Sequence, residues 1–125
     1  MIINELVKEL EIPEIALYRD EPDGWEQFTK KDSPLAFYDL PVVKQEQLVE
    51  WCEGLDKRKT TNPLHDTYNL KHVFEHGRFY VSNGAMKGAL VLSGFTPDDL
   101  TRLNWRFNIS EKSLKKEYNK AGYIQ

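Results

Sequence analysis

Asn62-Pro63-Leu64-His65-Asp66-Thr67-Tyr68-Asn69-Leu70-Lys71-His72-Val73-Phe74-Glu75-His76-Gly77 decides how this chain is read. Asn62 is a helix-capping residue, Pro63 suits a first helical turn, and Gly77 suits the left-handed residue that closes a helix. Between them Leu70, Val73 and Phe74 fall on one stripe when residues are placed ~100° apart. The stretch predicts a helix running to His76. On that wheel His65, His72 and His76 fall within roughly 40° of one another on the face opposite the apolar stripe. Packing alone does not explain three histidines placed there.

Working outward, the C-terminal two thirds reads as helical. In Val42 to Leu55, the residues Leu48, Trp51, Cys52 and Leu55 recur at i, i+3, i+4 and i+7, the spacing of a buried helical stripe. Lys57 to Thr61 reads as a basic linker. Ser82 or Asn83 caps a helix through Leu92, with Gly94 just past its end. Thr96-Pro97-Asp98-Asp99 has the composition of a helix start leading into Leu100 to Arg106. Ser110 caps a last helix with Leu114 and Tyr118 inward and Lys112, Lys115, Lys116 and Lys120 outward. The N-terminal part reads differently. Ile2 to Leu10 is a short amphipathic helix, and Glu14 to Arg19 and Leu35 to Leu40 are strand candidates. Between the strands lies the turn sequence Glu21-Pro22-Asp23-Gly24. The expected fold is α+β and mostly helical, one domain over residues 1–125 with a small N-terminal β-hairpin.

A chain of 125 residues fits one domain, with a second core marginal at this length, and a hydrophobic content of 40% with 12% aromatic residues is ample for a packed interior. The net charge of −3 hides an asymmetry. Residues 1–59 carry 14 acidic and 8 basic side chains, whereas residues 60–125 carry 6 and 9. The acidic part is suited to a basic groove on a partner, through Glu11, Glu14, Asp20, Glu21, Asp23 and Glu26. No apolar run approaches the ~20 residues of a membrane helix, and Glu5, Lys8 and Glu9 interrupt any leader-like segment. A single cysteine, Cys52, fits a reducing compartment. Gly84, Gly88 and Gly94 match neither a phosphate-binding loop nor a dinucleotide fingerprint.

On a continuous helix His72 and His76 are one turn, ~6 Å, apart, a separation at which two imidazoles can share a zinc ion. A structural zinc site wants four ligands, and Cys52, His65, His72 and His76 are the candidates. His65, ~16 Å from His76 along such a helix, joins only if the chain unwinds near Asp66. His72-Val73-Phe74-Glu75-His76 is also a literal H-x-x-E-H, in which a glutamate would serve as general base for a zinc hydrolase. That reading lacks a third ligand and a cleft. The ordinary alternative is a pair of solvated histidines, with Cys52 acting as a small hydrophobe.

A further alternative lies in Leu103 to Leu114. Leu103, Phe107, Ile109 and Leu114 have the spacing of two helices packed across a tight turn, as in a helix-turn-helix. The second helix would offer Lys112, Lys115 and Lys116 to phosphates. Asn104 and Asn108 stand where a small residue and a turn glycine are usual. The ordinary reading of the lysines is a solvated basic face.

The run Thr67-Tyr68-Asn69-Leu70-Lys71-His72 with Glu75, then Tyr80 to Ala89, Gly94-Phe95 and Asn104-Trp105 to Ser110, resembles a family of small proteins of bacteriophages and mobile elements. The resemblance covers about residues 64–115. It implies a protein that manipulates a bacterial host from within its cytoplasm. Anti-CRISPR inhibitors are similar in size, acidity and lack of a catalytic constellation, a likeness of character and not of motif. The expectation is a non-enzymatic inhibitor that binds a host protein, a CRISPR effector nuclease above all, and blocks its nucleic-acid groove. A zinc ion, where bound, would be structural.

Overall fold

The computed structural model describes residues 33–100 and 102–122. The Leu48, Trp51, Cys52 and Leu55 stripe predicts well the first α-helix of the described residues. It is α1, Val42–Glu53, and all four side chains are buried. Three further helices follow, α2 over Thr67–Glu75, α3 over Asn83–Leu92 and α4 over Glu111–Lys120.

α3 is the centre of the fold. Every residue from Asn83 to Val91 is buried, as a helix that is apolar nearly all round requires. The Ser82 side chain caps it by accepting a hydrogen bond from Ala85 N at 3.1 Å. α1, α2 and a short 3-10 helix, Pro34–Asp39, pack around it. Lys87 is also fully buried, with its Nζ 4.8 Å from the centroid of the buried Trp105 ring.

The 3-10 helix overturns the expected hairpin. Leu35 to Leu40 was a strand candidate, but Ser33 accepts from Leu35 N and Pro34 starts a helical turn with its fixed φ. Ala36 and Phe37, adjacent in sequence, are both buried while Leu35 and Tyr38 are exposed. A strand would have placed neighbours on opposite faces. The other strand candidate, Glu14 to Arg19, lies outside the described residues, as do the Ile2 to Leu10 helix and the Glu21–Gly24 turn. Among the described residues there is no strand or sheet, so the α+β assignment gives way to a helical fold.

The stretch expected as a helix from Asp98 to Arg106 is also different. Asp98 N donates to Arg106 O at 3.0 Å, and Asp98 Oδ1 accepts from Arg106 N at 3.1 Å. Pro97 and Phe107 form an isolated antiparallel bridge, and Lys57 and Ile109 form another on the opposite edge. Arg58 N donates to Asn108 O and Asn62 N to Phe107 O, each at 2.9 Å. Trp105, Phe107 and Ile109 are buried, which is the two-residue period of extended chain. Asn108 pins both flanks, donating to Arg58 O at 3.1 Å and accepting from Thr96 N at 2.7 Å. Lys57 to Thr61 is therefore one edge of an irregular ladder and not a free linker.

α4 begins where this ladder ends. Ser110 caps it and donates its backbone N–H to Asp56 O at 2.8 Å. Leu114 and Tyr118 point inward as expected. Among the described residues no helix is long and apolar enough to cross a membrane.

Candidate functional site

The helix that was to carry three histidines is shorter than its sequence suggested. Asp66 is its cap, accepting from Asn69 N at 3.0 Å. Asn62 is used elsewhere: its Oδ1 accepts from Leu64 N at 3.0 Å and its Nδ2 donates to Ile109 O at 3.1 Å. His65 therefore precedes α2 and does not share a helical face with His72. At the other end His76 is the C-cap with ψ 110°, and Gly77 turns the chain with φ +75°. His76 therefore closes the helix one turn after His72, and the chain turns away directly beyond it.

Each candidate ligand has its own surroundings. His65 is half-buried between Glu111, 2.5 Å from Nε2, and the Tyr118 hydroxyl, 2.9 Å from Nδ1. His72 is exposed, stacked edge-on to Tyr68 with ring centroids 4.5 Å apart and its Nδ1 3.4 Å from Glu75 Oε1. His76 is exposed at the turn. Cys52 is fully buried in the core, where loss of solvation drives its thiol well above the ordinary cysteine value. The neighbouring Glu53 carboxylate pushes the same way, against a hydrogen bond with Ser93. The set Cys52, His65, His72 and His76 is not assembled. Among the described residues no three His, Cys, Asp or Glu side chains converge to hold a metal ion.

Glu75, the general base of the H-x-x-E-H reading, is bonded into the fold. Its Oε2 accepts from Val81 N at 3.0 Å, and Lys71 Nζ lies 3.3 Å from Oε1. Lys71 in turn sits 4.9 Å from the centroid of the Tyr80 ring. These contacts fix the turn between α2 and α3.

The helix-turn-helix alternative loses its first helix to the ladder just described. Lys112, Lys115 and Lys116 are exposed on α4, as both readings of that helix expected. The acidic candidates Glu11, Glu14, Asp20, Glu21, Asp23 and Glu26 lie outside the described residues.

Sequence reasoning missed a cleft of about 560 Å³ between α1 and α4. Trp51, Leu55, Phe74 and Phe79 supply its apolar lining. Trp51 meets Phe74 edge-to-face at 5.4 Å, and Phe74 meets Phe79 at 5.1 Å, so this wall is rigidly interlocked. Glu50 and Asp56 line the α1 side, Lys116 and Lys120 the α4 side, and Arg78 the end of the α2–α3 turn. Arg78 is held by a hydrogen bond to Phe74 O at 3.1 Å, with its guanidinium 5.2 Å from the Phe74 ring centroid. A smaller hollow of about 210 Å³ continues past Arg78, Glu117 and Lys120 to His76 and Gly77. No residue run announces this cleft, because three separate elements build it.

No protein family, curated protein or solved structure matches this chain.

Proposed function

We propose that this chain is a non-enzymatic binding protein of the phage or mobile-element kind, which inhibits a host protein by occupying it. The partner class is a CRISPR effector nuclease and the surface occluded is its nucleic-acid groove. One observation carries the non-catalytic part. The side chains best suited to chemistry are engaged in holding the fold: His65 with Glu111 and Tyr118, and Glu75 with Val81 and Lys71. Cys52 is sealed in the core with its thiol held protonated. What the surface offers instead is charge and an aromatic-walled cleft.

The partner class rests on the resemblance to phage proteins, and the charge distribution supports it. The acidic excess lies in residues 1–59, which suits a groove lined with lysine and arginine. Charge complementarity of this kind steers association and competes directly with a phosphate backbone.

The test uses the full chain and a purified, guide-loaded effector nuclease. A stoichiometric complex on gel filtration with loss of target cleavage is the expected result. Joint charge reversal of Glu11, Glu14, Asp20, Glu21, Asp23 and Glu26 is expected to abolish both. No complex with any effector nuclease, together with tight and sequence-specific DNA binding by the chain itself, would overturn the reading.

A further inference from the structure

We infer that the cleft between α1 and α4 is a docking site for a peptide segment of a partner protein. That segment presents an apolar side chain flanked by a basic group on one side and an acidic group on the other. The inference deepens the binding reading and rests on it for the kind of partner.

The walls come first. α1 lines the cleft through Gln47, Glu50, Trp51 and Gly54, and α4 through Ser113, Lys116, Glu117 and Lys120. Both sets follow the i, i+3, i+4, i+7 rhythm, so each wall is two turns, ~10 Å, long. Ridges of this length on either side of one cleft suit a short stretch of polypeptide. The volume, about 560 Å³, takes one large apolar side chain with its neighbours.

The two walls carry opposite charges that do not neutralise each other. Glu50 and Asp56 on the α1 side have no ion-pair partner among the described residues, and neither has Lys116 on the α4 side. Arg78 bonds to a backbone carbonyl and, among the described residues, to no carboxylate. Lys120 is the exception, paired with Glu117 at 3.1 Å. Unpaired carboxylates facing unpaired cations across an aromatic floor are complementary to a ligand with both signs and an apolar centre.

The same arrangement argues against other occupants. A nucleic-acid strand drawn to Lys116 and Arg78 would bring its phosphates against Glu50 and Asp56. A wholly basic segment drawn to those carboxylates would meet Lys116 and Arg78. Like charges facing each other at an interface suppress such partners.

The floor supplies the reporter. Trp51 lines the cleft, and its indole N–H, buried and without a hydrogen-bond partner among the described residues, gives a single resonance sensitive to a change in the packing of that ring.

The experiment titrates the full chain by NMR with four defined probes. Three are end-blocked heptapeptides with a central leucine, flanked by lysine and glutamate on opposite sides, by lysines only, or by glutamates only. The fourth is a 5′-phosphorylated dinucleotide. Only the mixed peptide is expected to give saturable shifts at the Trp51 indole and at Lys116. Glu50→Lys and Lys116→Glu should each weaken it about tenfold, with the melting temperature retained. Absence of saturable shifts with the mixed peptide, or equal shifts with a single-sign peptide or the dinucleotide, would overturn the inference. The nuclease experiment above is read separately. Nuclease binding with a cleft silent to peptides defeats this inference alone, while peptide binding without nuclease binding defeats the partner class alone.

Discussion

His65 Nε2 lies 2.5 Å from Glu111 Oε1, joining residues that are 46 positions apart in sequence. The other ring nitrogen lies 2.9 Å from the Tyr118 hydroxyl, so one imidazole grips α4 at its first turn and again two turns on. His65 is thus a clasp between the segment before α2 and the last helix. His65→Ala is expected to lower stability by about 1–3 kcal/mol, the cost of leaving half-buried polar partners unmatched. In thermal unfolding, a double-mutant cycle with Glu111→Ala should show the two losses to be less than additive. Strict additivity would mean that the two side chains do not act on each other.

Cys52 gives a prediction with a pH sign. Burial is the main cause raising its thiol far above the ordinary value of 9.0. In the folded chain the group therefore keeps its proton where the unfolded chain gives it up. This contribution to stability is fully present below about pH 9 and declines as pH rises above it, because only the unfolded state gains by ionising. At pH 8 a thiol reagent should label the native protein very slowly and label one site per chain at once in denaturant. Rapid native labelling would show that Cys52 is accessible.

The contrast between what was legible in the sequence and what was not has a physical basis. α1, α3 and α4 rest on signals that lie within a few residues: the Leu48–Leu55 stripe, the Ser82 cap with Gly94 after the helix, and the Ser110 cap with Leu114 and Tyr118. Asp98 shows where local signals fail. Its carboxylate is as suitable for a helix start as any, but it accepts from Arg106 N instead, and no neighbouring residue announces that partner. The Leu35–Leu40 strand failed similarly, because burial of Ala36 and Phe37 against α3 favoured a tight turn. The histidine wheel depended on a helix starting at Asn62-Pro63, and Asp66 moved that start past His65. The cleft needed three elements in place before any of its residues had meaning.

The scattered histidines lead to a metal prediction. Cys52 lies in the core, His65 is clasped to Glu111 and His76 lies outside α2, so the fold is expected to be independent of zinc. Chelator treatment should leave the melting temperature unchanged, and His72→Ala should alter stability by less than about 0.5 kcal/mol, as is usual for an exposed position. Elemental analysis is the check. One zinc per chain that disappears in His72→Ala would restore the metal reading.

Glu75 separates the hydrolase string from the fold most directly. Its carboxylate accepts the Val81 N–H at 3.0 Å and holds Lys71, so it shapes the turn that delivers Arg78 and Phe79 to the cleft. A catalytic base could be replaced without loss of stability, whereas a structural acceptor could not. Glu75→Ala is expected to cost about 1–3 kcal/mol and to speed hydrogen exchange at the Val81 amide. Glu75→Gln should fall between, since an amide oxygen still accepts from Val81 N but no longer attracts the Lys71 ammonium. Because the turn carries part of the cleft wall, Glu75→Ala should also weaken the mixed-charge peptide while leaving Glu50 and Lys116 intact. Unchanged melting and unchanged Val81 exchange in Glu75→Ala would show that the turn is held by other contacts.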